Sequence, residues 1–126
     1  MNKKQFIFTT FQREGYHYYP GANINSKTAT NDRFDVSHLA NLHMHYFNFK
    51  VWIEVKDTNR EIEFIQLRRW IEDLYTNDTL KLDYKSCEMI SDDLYYELSK
   101  KYSNLEIRIE ISEEGINGSF TEYKVN

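Results

Sequence analysis

The stretch His43-Met-His-Tyr-Phe-Asn-Phe-Lys-Val-Trp-Ile-Glu-Val55 decides the fold. Its odd positions are His43, His45, Phe47, Phe49, Val51, Ile53 and Val55, whereas the even ones, Met44, Tyr46, Asn48, Lys50, Trp52 and Glu54, are mixed. A period of two predicts a strand with one dry face, because successive side chains point to opposite sides of a sheet. Both histidines open that dry face. Their rings should therefore sit side by side at the edge of the core, where water and metal still reach them.

Before this strand, Gln5-Phe-Ile-Phe-Thr-Thr-Phe11 is β-branched and aromatic and too short for a helix, so it predicts another strand, whose continuation carries Gly15 and His17. Residues 20–35 turn to Asn, Ser, Thr, Gly and Ala, which predicts a long exposed loop rather than a domain linker. After a turn at 57–59, Phe64, Leu67, Ile71 and Leu74 recur at spacings of three and four, predicting an amphipathic helix over 61–75. Ser86 can cap a second helix whose stripe is Ile90, Leu94, Leu98 and Tyr102, and residues 79–84 form a short extended stretch between the two. Leu105, Ile107, Ile109 and Ile111 alternate with Glu106, Arg108, Glu110 and Ser112, a strand with one wet face; Gly115-Ile-Asn-Gly118 turns the chain into a last strand over 119–125. The order β-β-α-α-β-β predicts one α+β domain over residues 1–126, an antiparallel four-stranded sheet with two helices on one face.

Composition bounds the function. A chain of 126 residues, 40% hydrophobic with one proline, buries a single modest core, which excludes large two-domain enzymes. Sixteen basic against twenty acidic residues, a net charge of −4 without a basic tail, argue against a protein held to nucleic acid by phosphate contacts. No apolar run is long enough to cross a membrane, and the polar, basic start leads into no signal-type segment, so a cytoplasmic protein is expected. A lone cysteine, Cys87, forms neither an internal disulfide nor a cysteine metal knuckle, so any metal must rest on histidine and carboxylate. The aromatic content of 16% exceeds what so small a core hides, and some rings should face a partner subunit or a flat ligand.

His43-Met44-His45 on a strand presents two imidazoles on one face, a spacing suited to two ligands of one zinc ion. The competing reading is a surface or core-edge pair. Either His17, from another strand, or His38, from the polar approach, could close a three-histidine site with an open position.

Phe11-Gln-Arg-Glu-Gly-Tyr-His17, a long loop, and then Leu42-His-Met-His-Tyr-Phe-Asn-Phe-Lys-Val51 resemble the 6-pyruvoyl tetrahydropterin synthase and 6-carboxytetrahydropterin synthase family, in which a His-Gly-His motif opens the second strand. Ile62-Glu-Phe64 leading into a helix, Ser86-Cys-Glu88 at a helix start and Ile109-Glu-Ile-Ser-Glu113 at a strand end are similar to further segments of that family, in the same order over nearly the whole chain. The resemblance implies a tunnelling fold whose subunits form ring-shaped homo-oligomers such as hexamers, with sites between subunits. It implies a zinc ion on His17, His43 and His45. It also implies that Glu113, helped by Glu88, holds the guanidine-like edge of a pterin or purine-type nucleotide, since a carboxylate accepts two parallel N–H bonds from an N–C–N edge.

The departures matter equally. The family's catalytic cysteine precedes the histidine pair, but Phe34-Asp-Val-Ser-His-Leu-Ala-Asn41 contains none. The histidine of its Leu-Asp-His motif corresponds to Tyr84 in Leu82-Asp83-Tyr84, and a phenol of ordinary pKa near 10 is a poor relay at neutral pH. Met44 replaces the central glycine and is expected to narrow the approach to the metal. Candidate proton-handling groups are Asp83, Tyr84 and His38, the last paired with Ser37; Cys87 reads as a small buried structural residue. Two functions follow. One is a zinc-dependent carbon–oxygen lyase of the pterin synthase type acting with a substitute base. The other is a non-catalytic protein that sequesters a purine-type nucleotide; similarity to small phage-type relatives over residues 83–88 and 113–118 places the second in a viral setting, in host cytoplasm against a host nucleotide signal.

Overall fold

The computed structural model describes residues 2–19, 39, 41–76 and 79–125. The elements run β1 (Gln5–His17), β2 (His43–Val55), α1 (Phe64–Leu74), β3 (Thr79–Asp83), α2 (Cys87–Lys101), β4 (Ile107–Glu113) and β5 (Asn117–Tyr123). β1 and β2 pair antiparallel along their full length, from Gln5 opposite Val55 to His17 opposite His43. The predicted period-two face of β2 is the core face: Phe47, Phe49, Val51 and Ile53 are fully buried, as are Ile109 and Ile111 of neighbouring β4. Each such aliphatic side chain contributes about 1.5–3 kcal/mol by leaving water.

The expected antiparallel four-stranded sheet of the tunnelling fold is overturned. The sheet has five strands in the order β3-β1-β2-β4-β5, and β3 runs parallel to β1, so the architecture is α+β with a mixed sheet. The extra strand comes from the short stretch between the helices. Its Leu80 and Leu82 are both buried while Lys81 is exposed, the alternation of a half-buried strand. Its direction follows from where α1 ends. The Tyr75 carbonyl accepts a hydrogen bond from Arg13 Nε at 3.1 Å, so the chain leaves the helix beside the second half of β1. It re-enters the sheet with Thr79 opposite Glu14 and continues in the direction of β1.

Both helices join the single core that this sheet face builds. Leu67 and Ile71 of α1 and Ile90, Leu94 and Leu98 of α2 meet the β2 and β4 side chains there. α1 starts at Phe64 rather than 61, because the Glu63 carboxylate caps it by accepting from the Gln66 N–H at 2.8 Å. Its buried stripe is narrower than the spacing suggested, with Phe64 and Leu74 exposed. Ser86 caps α2 as predicted, accepting from the Met89 N–H at 3.2 Å. Among the described residues, no helix covers the opposite sheet face, where Phe8, Tyr46 and Phe120 are exposed. Among the described residues, no helix is long and apolar enough to cross a membrane.

Candidate metal centre

The β1–β2 register does the first work. With His17 opposite His43 and Gly15 opposite His45, all three imidazoles stand on the core face at one end of the sheet. Ring centroids are 4.6 Å apart for His17 and His43, 4.8 Å for His43 and His45, and 5.3 Å for His17 and His45. One nitrogen from each ring lies within 4.8 Å of the others. The fully buried Phe47 ring underlies the cluster, edge to face with His17 and His45. A Cβ on Gly15 would come within 3.0 Å of Leu82 Cδ1 and 3.1 Å of the Phe47 ring, so the glycine lets β3 close beside the histidines.

Each imidazole is oriented through Nδ1. His17 Nδ1 is 2.9 Å from the Lys85 carbonyl, His43 Nδ1 is 2.8 Å from the Asn41 carbonyl, and His45 Nδ1 lies 2.8 and 2.9 Å from the two Glu114 carboxylate oxygens. Facing only acceptors, each Nδ1 is the donor, which in the neutral ring leaves the Nε2 lone pair for a cation. His17 Nε2 and His45 Nε2 are buried without a hydrogen-bond partner. Such orphaned groups cost about 1–3 kcal/mol each unless something satisfies them. Three imidazoles with tied outer nitrogens, two of them with orphaned inner ones, fit a zinc ion; bonds of ~2.0–2.1 Å to each would draw the widest pair, now 4.8 Å apart, together by roughly 1.4 Å.

The carboxylates come from the β4–β5 hairpin. Glu113, opposite Phe47, shares the histidine face, with Oε2 3.0 Å from His17 Nε2 and Oε1 3.6 Å from His45 Nε2. Glu114 and Gly115 then adopt positive φ of 57° and 72°, and the turn closes by a 3.0 Å bond from the Ile116 N–H to the Glu113 carbonyl. This shifts the turn ahead of the predicted 115–118. The turn makes Glu114 the orienting partner of His45. The sequence signal was there, a residue-plus-glycine pair at the end of an alternating strand, where hairpins favour two left-handed positions.

Electrostatics link these groups. Burial disfavours the His17 imidazolium, but the Glu113 carboxylate, the Lys85 carbonyl and Glu114 together outweigh it, so the His17 pKa is raised. Burial lowers that of His43, with the neighbouring imidazoles adding to the effect. Proximity to His17 holds the Glu113 carboxyl below the usual range despite its burial.

The cluster opens onto a cleft of about 500 Å³, whose lining includes His17, His43, Glu113, three tyrosines (Tyr18, Tyr19, Tyr84) and the start of α2 with Cys87 and Glu88. Tyr84 is mostly exposed in that lining, whereas Asp83 takes a left-handed φ of 53° at the end of β3 and is not part of it. His38 and Ser37 lie outside the described residues, as does the loop over 20–35. Met44 does not narrow the approach: it is exposed and stands on the other face of β2, opposite Tyr16. Cys87 is buried, and burial, with Glu113 and Glu88 nearby, pushes its thiol up to about 12, so it carries no thiolate at neutral pH.

No protein-family model matches the chain, and no curated protein matches it significantly. The likeness to pterin synthases thus rests on the quoted residues.

Proposed function

We propose that the chain holds a zinc ion on His17, His43 and His45 and binds a flat, nitrogen-rich heterocycle, a pterin or purine-type nucleotide, in the adjoining cleft. The observation that carries this reading is the convergence of three Nδ1-tied imidazoles, two with orphaned Nε2 atoms, at the wall of that cleft. Tyr18 and Tyr84 offer rings for stacking, and the Glu88 carboxylate in the lining suits an N–H-rich edge better than a deeply seated phosphate. Zinc, when bound, would fix the three imidazoles at the cleft wall and place a positive charge there.

Binding without the family's thiol-dependent chemistry is the version favoured here. The approach to the histidine pair carries no cysteine, and Cys87 is buried and protonated. The alternative is an active pterin synthase-type lyase with a substitute base. Self-association belongs to the same reading, and the exposed aromatic residues Phe8, Tyr46 and Phe120 of the sheet face opposite α1 and α2 are what it would cover.

The test is direct. Purified protein is expected to contain zinc, and His43→Ala to lose it. Mass spectrometry of the co-purifying small molecule is expected to show a pterin or purine, and incubation with dihydroneopterin triphosphate to yield no product. Metal-free wild-type protein after zinc loading would sink the reading; product formation would transfer it to the lyase.

A further inference from the structure

We infer that Glu113 is a fourth protein ligand of the metal, so that the centre is a closed His17–His43–His45–Glu113 site and not a three-histidine site with an open position. This rests on the metal reading above and changes the task given to Glu113, which the resemblance assigned to the heterocycle.

Three observations carry it. The first is position: Glu113 Oε2 is 3.0 Å from His17 Nε2 and Glu113 Oε1 is 3.6 Å from His45 Nε2. Ligands about 2.0–2.1 Å from a tetrahedral ion are separated from one another by roughly 3.3–3.4 Å, a value these two distances bracket. The second is alignment. Despite the short approach, neither Nε2 has a hydrogen-bond partner, so the carboxylate faces these nitrogens without an aligned N–H between them. In the neutral rings Nδ1 carries the proton, so the carboxylate meets bare Nε2 lone pairs; a proton added to His17 relieves only the 3.0 Å contact, whereas a cation between the groups engages both nitrogens and the carboxylate at once.

The third is the frame. Glu113 is fixed by pairing with Phe47 on one side and Asn117 on the other, at the end of β4. Glu114, the other carboxylate within reach, is committed to the outer nitrogen of His45 and to the Tyr46 N–H at 3.2 Å. Among the described residues, only Glu113 faces the inner nitrogens. A carboxylate so engaged cannot also offer both oxygens to a heterocycle edge, which leaves that contact to Glu88 at the start of α2.

Chelator-stripped wild type, Glu113→Gln and Glu88→Gln are titrated with Zn²⁺ against a competing chelator, and each is loaded with Co²⁺ for visible spectra. Wild type and Glu88→Gln are expected to bind one ion with the strong absorption of a four-coordinate cobalt site. Glu113→Gln is expected to bind at least about tenfold more weakly, with a changed spectrum. Azide added to cobalt-loaded wild type supplies an independent readout, even where Glu113→Gln folds poorly: a site with an open position takes the anion and shifts the visible spectrum, a closed one does not. Equal affinity and identical spectra in wild type and Glu113→Gln, or an azide-induced shift in wild type, would overturn the inference while leaving the three-histidine reading intact. Wild type that binds neither ion would remove both.

Discussion

Glu114 receives the Nδ1–H of His45 between its two carboxylate oxygens, at 2.8 and 2.9 Å, from a residue whose own backbone is left-handed at φ 57°. The strained turn and the oriented imidazole are one device. A non-glycine residue in this region costs about 1–2 kcal/mol, and here the 2.8 Å bond from the Glu114 N–H to the Tyr46 carbonyl helps to hold it.

That coupling separates two effects by substitution. Glu114→Ala and Glu114→Gly both remove the partner of His45, and each is expected to lower zinc affinity by about 10–100-fold. Their stabilities should differ in the metal-free state, with the glycine variant about 1 kcal/mol the more stable because it accepts positive φ. Competition titration and thermal melts read the two quantities independently. Equal zinc affinity in wild type and both variants would remove Glu114 from the centre.

The legible parts of this protein were those written in local periodicity. Alternation from His43 to Val55 gave the face that both histidines share, and the same rule already placed Met44 on the other side. β3 reads only as an extended stretch, because five residues with two leucines do not announce a parallel partner sixty-five positions upstream. That omission had a chemical consequence, since β3 ends beside His17 and delivers the Lys85 carbonyl to its Nδ1. Glu114 escaped for a similar reason: its role depends on a left-handed turn and on the β2–β4 register, neither of which a charge pattern displays.

The pH dependence of the metal-free protein follows from His17 and Glu113. The raised His17 pKa contributes stability that is fully present below the ordinary 6.5 and is lost as pH rises through the folded value. The lowered Glu113 pKa contributes stability present above the ordinary 4.5 and lost as pH falls through its folded value. His43, lowered by burial, works against this trend, adding stability above 6.5 that is lost as pH falls. Comparing wild type with Glu113→Gln cancels most of the His43 contribution. The wild-type advantage in denaturant melts is expected to be largest between about pH 4.5 and 6.5 and to shrink above that range. Zinc should show the opposite slope, its stabilisation growing with pH because coordination needs neutral imidazoles. A wild-type advantage that grows steadily from pH 6 to 9 without metal would contradict the assigned pair.

Cys87 is expected to be chemically silent. With only 7% of its surface exposed and its thiol pushed up to about 12, it should react with iodoacetamide at pH 8 only on unfolding, which mass spectrometry with and without denaturant measures. Cys87→Ala should retain wild-type zinc affinity. Rapid alkylation of the native protein would restore the thiol as a candidate nucleophile.

Gly118 links the hairpin to the centre most tightly. It pairs with Ser112, and a Cβ added to it would lie 2.1 Å from the Ile111 carbonyl oxygen and 2.6 Å from Ser112 Cα, backbone atoms that cannot swing aside. Gly118→Ala must therefore push β5 away from β4, at a cost of roughly 2–3 kcal/mol. Because Glu113 and Glu114 are aimed by the turn joining these two strands, the same substitution is expected to weaken zinc binding although residue 118 supplies no ligand. Gly15→Ala is the informative comparison: its crowding falls on the Leu82 and Phe47 side chains at 3.0–3.1 Å, which can shift by a few tenths of an ångström. Its stability loss should be the smaller. Thermal melts of both variants with and without zinc check the order, and a Gly118→Ala protein with wild-type stability and metal affinity would show that the hairpin does not position the carboxylates.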